Sequence, residues 1–328
     1  MNQSVKDQKI NNLIALYSQG EIERALAEAQ KLVRVYKKEP FLFNFLGVSS
    51  MGIGSIDEAI RYYKEALILN PQYYEVYNNI GLAYNDLKKP NIAIKYLNKA
   101  IQIYPDYAEA YNNIGNTQKD LGNTTEAILS YKKAININPN YVDAYTNLGI
   151  VHSVREEFDE AEKAFKKALS LDLSNKNIAY YLADNYFNRE FLDQAIEILD
   201  NYFKEDQTPD FLNLRGKVLQ KKGSEHALDY YYKALKNSNR KDEVLSNIGS
   251  FYYAKREIGN AIKFYEEALR INSMNDEARI NLAYAHLSKS NFKSGWSGHE
   301  YRWKTIPLNK IKWPFAREGM WNNEEGKR

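Results

Sequence analysis

A spacing of 34 residues constrains the fold of this chain more than any other feature. The segment "YNNIG" occurs at 77–81 and again at 111–115, and the related "YTNLG" follows at 145–149, so that Tyr77, Tyr111 and Tyr145 are evenly separated. A fixed period of this kind indicates a structural unit that is stacked against copies of itself, with a core that grows along one dimension. The length of 328 residues therefore indicates a number of stacked repeats and not a number of globular domains.

Further positions recur in the same register. If the tyrosine of "YNNIG" is position 4, the pattern has a small residue at position 8, alanine at 20 and 27, a large apolar residue at 24 and often proline at 32. In 74–107 these are Gly81, Ala93, Ala100, Leu97 and Pro105. Small residues let two antiparallel helices approach closely, and the large ones fill the space between neighbouring pairs.

The register predicts the organisation of the whole chain. Residues 1–5 form an N-terminal extension, and 304–328 form a basic tail that contains Trp and Pro, a cap or a linker. The repeats between them are 6–39, 40–73, 74–107, 108–141, 142–175, 176–208, 209–241, 242–275 and a partial 276–303. We expect local distortion in 176–241, because Tyr202 stands at an alanine position and "KKGSEHA" is one residue short.

This pattern resembles the tetratricopeptide repeat family over residues 6 to 303. The resemblance implies an all-α fold, a right-handed α-solenoid of tandem helix pairs (an α-α superhelix), whose first helices line a concave groove. Pro71, Pro105 and Pro139 are then predicted to lie just past the second helix of their repeats, since proline cannot continue a helix.

Composition excludes several kinds of function. The chain has no Cys, and its four His are scattered without metal-ligand spacing, so we expect no metal site, no cofactor and no catalytic residue. The opening "MNQSVKDQKI" is polar and no apolar run approaches the roughly 18 residues that span a bilayer. We therefore expect a soluble, cytoplasmic protein without a membrane partner.

The charge pattern does not favour nucleic acid. Residues 289–328 hold nine Lys and Arg against four Asp and Glu; subtracting these from totals of 45 and 42 leaves 36 against 38 upstream. The repeats are thus close to neutral and only the tail is basic. A nucleic-acid partner would call for a concentrated basic face, which the repeats lack.

An asparagine recurs at position 6, on the face of the first helices that lines the groove by family resemblance. An amide side chain carries two donors and an acceptor, so one such residue per repeat can hydrogen-bond the backbone of an extended peptide. The pattern resembles the asparagine-lined groove of the repeat domains attached to O-linked N-acetylglucosamine transferases. The position-6 series is Asn79, Asn113, Asn147, Asn247 and Asn281, with Asn11 in the weak first repeat, and Asn78 and Asn112 at position 5 are added to the candidate peptide-binding set.

Two facts bear on that hypothesis. The series is interrupted by Phe45, Tyr181 and Leu214, and asparagine at position 6 can instead bond within or between helices. Positions 2, 5 and 6 of the three repeats between 74 and 175 carry three acids and no Lys or Arg, which argues against a clamp for a partner's terminal carboxylate. The expected partner is a protein or extended peptide that is neutral to mildly basic.

The tail has a different composition, with all four Trp in the last 33 residues. The stretch "GWSGHEYRWK" resembles the junction that joins tetratricopeptide repeats to a C-terminal glycosyltransferase-like domain in many bacterial proteins, and that catalytic domain is absent from this chain. Glu300 and Arg302 lack a second acid and a nucleotide-cradling loop, so the chain alone is not expected to be an enzyme. The predicted function is a protein-interaction scaffold; the alternative is the substrate-recognition arm of a glycosyltransferase.

Overall fold

A computed structural model describes residues 3–203 and 208–299. That part of the chain is helical and contains no strand, which confirms the all-α solenoid of tandem helix pairs. Its eighteen helices are α1 Gln3–Ser18, α2 Ile22–Val35, α3 Pro40–Gly52, α4 Ile56–Leu69, α5 Tyr74–Asp86, α6 Pro90–Ile103, α7 Ala108–Asp120, α8 Thr124–Ile137, α9 Val142–Val154, α10 Phe158–Leu171, α11 Lys176–Asn188, α12 Leu192–Phe203, α13 Pro209–Lys221, α14 Ala227–Asn237, α15 Lys241–Ala254, α16 Ile258–Ile271, α17 Asp276–Ser288 and α18 Phe292–His299.

The helices belong to two compact bodies, an N-terminal body of residues 1–185 and a C-terminal body of residues 186–328. In each body, the two helices of a repeat pack against one another and the second helix packs on the first helix of the next repeat. A helix pair alone would leave one apolar face in water, so the stacked neighbour completes its core.

The closest approach within a pair is at position 8, where a glycine faces the large residue at position 24. A Cβ added to Gly115 would lie 2.5 Å from Cε1 of Tyr131, and one added to Gly249 would lie 2.6 Å from Cε1 of Tyr265. The same conflict recurs between Gly81 and the Leu97 side chain at 2.6 Å. Glycine is therefore required in these repeats, because the ring or branched side chain lies directly against the helix backbone.

Alanines at positions 20 and 27 form the other half of each close contact. They are fully buried at 0% exposure in both bodies, which confirms their predicted packing role. The residues concerned are Ala59, Ala66, Ala93, Ala100, Ala127, Ala134, Ala161, Ala168, Ala195, Ala227, Ala234, Ala261 and Ala268.

The turn between the two helices of a repeat has a constant backbone conformation. Nine described residues have positive φ, and each of them is position 15 of its repeat. Gly20, Gly54, Gly122 and Gly223 occupy four of these turns, while side-chain-bearing residues such as Lys88, with φ of 57°, adopt the left-handed conformation in the others. At the other end of the pair, Pro71, Pro105 and Pro139 each lie two residues beyond a second helix, as predicted.

One helix of the degenerate stretch is shorter than its counterparts in other repeats. Helix α14 has 11 residues, whereas α10 and α16 each have 14. It begins at Ala227, directly after the segment that is one residue short.

Three buried tyrosines at position 24 have paired hydroxyl groups. Tyr131 donates to Asn116 Oδ1 at 2.8 Å, Tyr231 donates to Gln220 Oε1 at 2.7 Å, and Tyr265 donates to Ser250 Oγ at 3.1 Å. Each acceptor lies on the first helix of the same repeat, so a polar bond is added to the ring contact.

Replacing Gly249 with Ala is expected to lower the free energy of unfolding by about 1–3 kcal/mol, because the new Cβ would overlap the Tyr265 ring. Gly259→Ala is the matched control: it lies exposed on α16, its Cβ would lie 3.6 Å from the nearest atom, Lys289 Nζ, and it gains helix propensity. Urea unfolding followed by circular dichroism measures both. Equal midpoints for the two variants would contradict the contact argument.

The chain is expected to lose stability in alkali through its buried tyrosines. Burial is the main cause that raises the pKa of Tyr141 and of Tyr265 to about 12. Because unfolded tyrosine titrates near pH 10, stability from keeping these phenols neutral is complete below about pH 10 and is lost as pH rises through about 12. Tyrosinate absorbance and helicity should change together in that window; a complete absorbance change with helicity intact would refute the expectation.

Candidate functional site

The recurring asparagines of the N-terminal body form a chain of hydrogen bonds from repeat to repeat. Each position-6 side chain donates its amide N–H to the position-5 side chain of the preceding repeat. The bonds are Asn79 Nδ2 to Asn44 Oδ1 at 3.0 Å, Asn113 Nδ2 to Asn78 Oδ1 at 2.9 Å and Asn147 Nδ2 to Asn112 Oδ1 at 3.1 Å. We call this series the asparagine ladder.

The C-terminal body has a shorter version of the same arrangement. Asn247 Nδ2 donates to Asn213 Oδ1 at 2.9 Å. Asn281 departs from the pattern, since its amide reaches Ser250 Oγ at 3.4 Å while Ser246, at position 5, is buried with its hydroxyl unpaired among the described residues. A serine at position 5 is too short to receive the ladder bond.

Position 5 is the inner rail of the ladder. Asn78 and Asn112 are only 3% and 5% exposed, and their oxygens accept the bonds just described. Bonding between helices, the alternative left open by the sequence, is therefore part of what these residues do, and contact with a peptide is retained as a hypothesis for position 6 only.

Position 6 is the outer rail. Asn79, Asn113 and Asn147 are half-buried, and within residues 3–203 and 208–299 their carboxamides make no hydrogen bond besides the ladder bond. Each of them therefore keeps one N–H donor and its carbonyl acceptor. The ladder bond fixes the plane of each carboxamide, so these groups are held in orientation before any partner arrives.

Acidic side chains flank the ladder at position 2. Glu75 is half-buried while Glu109 and Asp143 are exposed. Tyr107 donates its hydroxyl to Glu109 Oε2 at 3.0 Å, and burial together with that carboxylate raises the pKa of the Tyr107 phenol. The surface of the ladder is thus polar, with negative charge and no cation at positions 2, 5 and 6 of these three repeats.

The interruptions at position 6 have a packing cause. Phe45 and Leu214 are buried, and Tyr181 stacks on Phe165 with ring centroids 5.8 Å apart. The ladder bonds nevertheless extend past two of them, since Asn44 and Asn213 at position 5 accept from the following repeat. Asn44 and Asn213 were not predicted as acceptors from the sequence. The feature that could have identified them is an asparagine directly before Phe45 and before Leu214.

Other predicted features are placed as follows. Among the described residues, no group of three or more His, Asp or Glu side chains is arranged to hold a metal, and no helix has the length and apolar character needed to cross a membrane. Trp296, on α18, is 56% exposed. The candidate junction residues Glu300, Arg302 and Trp303 and the rest of the tail lie outside the described residues.

Family models identify the repeats directly. Models described as tetratricopeptide repeat match 74–107, 142–175, 96–128 and 242–273, and one described as TPR repeat matches 115–153. The matched segments, 74–175 and 242–273, are tetratricopeptide repeats. No curated protein sequence matches it significantly.

Solved structures with TM-scores above 0.5 show the same fold. A tetratricopeptide repeat protein from Parabacteroides merdae ATCC 43184 is 22% identical with a TM-score of 0.55, over 74% of this chain and 96% of its own. The APC/C hetero-tetramer Cut9–Hcn1 is 18% identical with a TM-score of 0.62, over 87% of this chain and 57% of its own. MamA is 29% identical over 48% of this chain and 92% of its own, with a TM-score of 0.43.

Both ends of one ladder bond should contribute equally to stability. Asn78→Ala and Asn113→Ala are each expected to lower the free energy of unfolding by about 0.5–1.5 kcal/mol, because each removes the same inter-repeat hydrogen bond. The double variant should cost less than the sum of the two single variants, since they share that bond. Urea unfolding of the four proteins measures the coupling, and strict additivity would show that the bond contributes nothing.

Proposed function

We propose that this tetratricopeptide repeat protein is an interaction scaffold that holds an extended peptide segment of a partner protein. The observation that supports this proposal is the asparagine ladder of the N-terminal body. It presents one oriented carboxamide in each of three successive repeats, and each carboxamide has an unused N–H and an unused carbonyl oxygen. An extended peptide offers N–H and C=O groups along its whole length, so such a series can hold it through its backbone.

The charges around the ladder bear on the partner's composition. Glu75, Glu109 and Asp143 are repeated at position 2 beside the carboxamides. Anionic side chains disfavour an acidic peptide and attract a basic one, mainly through the rate of encounter. The favoured partner is therefore neutral to mildly basic, bound through its main chain and selected only weakly by its side chains.

The test separates binding from folding through the two rails of the ladder. An immobilised library of random decapeptides is probed with the intact chain, with Asn113→Ala and with Asn78→Ala. Both variants lose the same ladder bond, but only Asn113→Ala removes the outward donor and acceptor. We expect Asn113→Ala to weaken the binding of most peptides by about 3- to 10-fold, which is the contribution of one hydrogen bond. Asn78→Ala should change peptide binding much less.

Three results would count against the proposal. Peptides that bind the intact chain and both variants alike would place the binding surface elsewhere. Equal weakening by both variants would mean that the ladder acts only by stabilising the repeats. If no peptide binds the intact chain, the proposed function of holding an extended peptide would be refuted.

A second candidate function rests on the sequence of the tail. The "GWSGHEYRWK" stretch at 295–304 resembles the lead-in to a glycosyltransferase-like domain, and the repeats would then present acceptor segments to that domain. In that case the peptides selected by the ladder should be rich in Ser and Thr, the residues that carry O-linked sugars. A selected set of peptides without such enrichment would contradict the transferase function and would be consistent with the scaffold function.

A further inference from the structure

A polar pocket of about 330 Å³ opens in the C-terminal body, beside the ladder bond between Asn213 and Asn247. Acidic side chains from two successive repeats, Asp242, Glu243 and Glu277, line it, and Lys217 is the one cation in its described lining. No aromatic ring lines it within the described residues, so it lacks the flat apolar wall on which a sugar or a base would stack. The pocket is built to receive a polar, positively charged group.

Asp242 is the fixed centre of this pocket. Its side chain is only 9% exposed. Oδ2 accepts from Asn272 Nδ2 and from Asn275 Nδ2, both at 2.9 Å, so the loop between α16 and α17 is tied to this carboxylate. Oδ1 has no hydrogen-bond partner among the described residues. With Oδ2 engaged by the two amides, the lone pairs of Oδ1 remain to accept from a ligand donor in the pocket.

Two residues of the pocket differ from those at the same positions of the repeat 108–141. Asp242 is position 1 and Asn275 is position 34 of the repeat 242–275, where the repeat 108–141 has Ala108 and Tyr141. Tyr141 is half-buried. In the C-terminal body, the short Asn275 amide occupies the position of the Tyr141 ring, and the Asp242 carboxylate occupies the position of the Ala108 methyl group.

The charges already present leave two acceptors for a ligand. Glu243 is paired with Arg240, whose Nη1 lies 3.2 Å from its carboxylate. Lys217 directs its ammonium to the Phe187 ring, 4.6 Å from the centroid. Asp242 Oδ1 and the exposed carboxylate of Glu277 therefore remain, on adjacent repeats and around one cavity.

The geometry points to a binding site for an arginine side chain of a partner protein. A guanidinium presents five N–H donors in a plane, which can reach the two carboxylates and the neighbouring ladder carboxamides at the same time. A metal ion is disfavoured, since no suitable group of three ligands exists in the described chain. This inference rests on the proposed scaffold function only for the source of the arginine, and it concerns a different body from the ladder test.

The experiment uses the whole chain and two fluorescein-labelled pentapeptides, Gly-Ser-Arg-Ser-Gly and the same peptide with citrulline, which keeps the shape of arginine without its charge. Fluorescence anisotropy should show the arginine peptide binding about 10-fold more tightly, as one charge-assisted pair provides. Asp242→Asn keeps the acceptor for Asn272 and Asn275 but removes the charge, and should abolish the preference. Glu277→Gln should reduce the preference about threefold, as for one exposed charge pair.

Glu266→Gln is the matched control, since it removes one exposed carboxylate of α16 that does not line the pocket, and it should keep the preference. Circular dichroism checks that Asp242→Asn is folded; if it is not, Glu277→Gln decides. Equal binding of the two peptides by the intact chain, or a preference kept in both pocket variants, would overturn the site. A lysine pentapeptide that binds as tightly as the arginine one would overturn the guanidinium assignment. If the ladder test fails while the preference for the arginine peptide is retained, the arginine site in the pocket remains supported.

Discussion

The contact between a glycine at position 8 and a large side chain at position 24 is the constraint on which the repeats depend. It brings the two helices of a pair so close that a methyl group on Gly115 would overlap the Tyr131 ring at 2.5 Å. The alanines at positions 20 and 27 can be fully buried only because the helices are this close. With the pair geometry fixed, the positions that face outward are fixed too, and the proposed binding surfaces lie at those positions.

If the proposed peptide contact is made, one residue of the asparagine ladder serves both folding and binding. A carboxamide has more hydrogen-bonding capacity than an inter-repeat contact uses, and the ladder consumes one donor from the outer rail and one acceptor from the inner rail. A freely rotating amide would lose conformational entropy on binding a peptide. An amide already held by its neighbour loses less, so the structural bond favours the binding role instead of competing with it.

The sequence was sufficient for the fold because the determinants of the repeat are local and periodic. Gly81, Ala93 and Leu97 recur at fixed spacing, and the prolines identify the ends of the second helices. The candidate site was only partly predictable. Position 6 could be identified from the repeated "NNIG", but the burial of Asn78 and the acceptor role of Asn44 depend on how successive repeats stack, which spacing alone does not give. The pocket at Asp242 escaped sequence reasoning because it is made by departures from the repeat, and a departure in a single chain looks like ordinary degeneracy.

Those departures suggest how a repeat protein acquires selectivity. Identical rungs grip a backbone and therefore discriminate little between partners, since every peptide has the same backbone. Discrimination needs a position where one repeat differs from the rest, at a place that the ligand's side chains can reach. Replacement of a tyrosine ring by Asn275 opens space, and replacement of a methyl group by the Asp242 carboxylate gives that space a charge, without altering the glycine and alanine contacts that hold the helices together. Selectivity can thus change at positions 1 and 34 while the fold is maintained at positions 8, 20, 24 and 27.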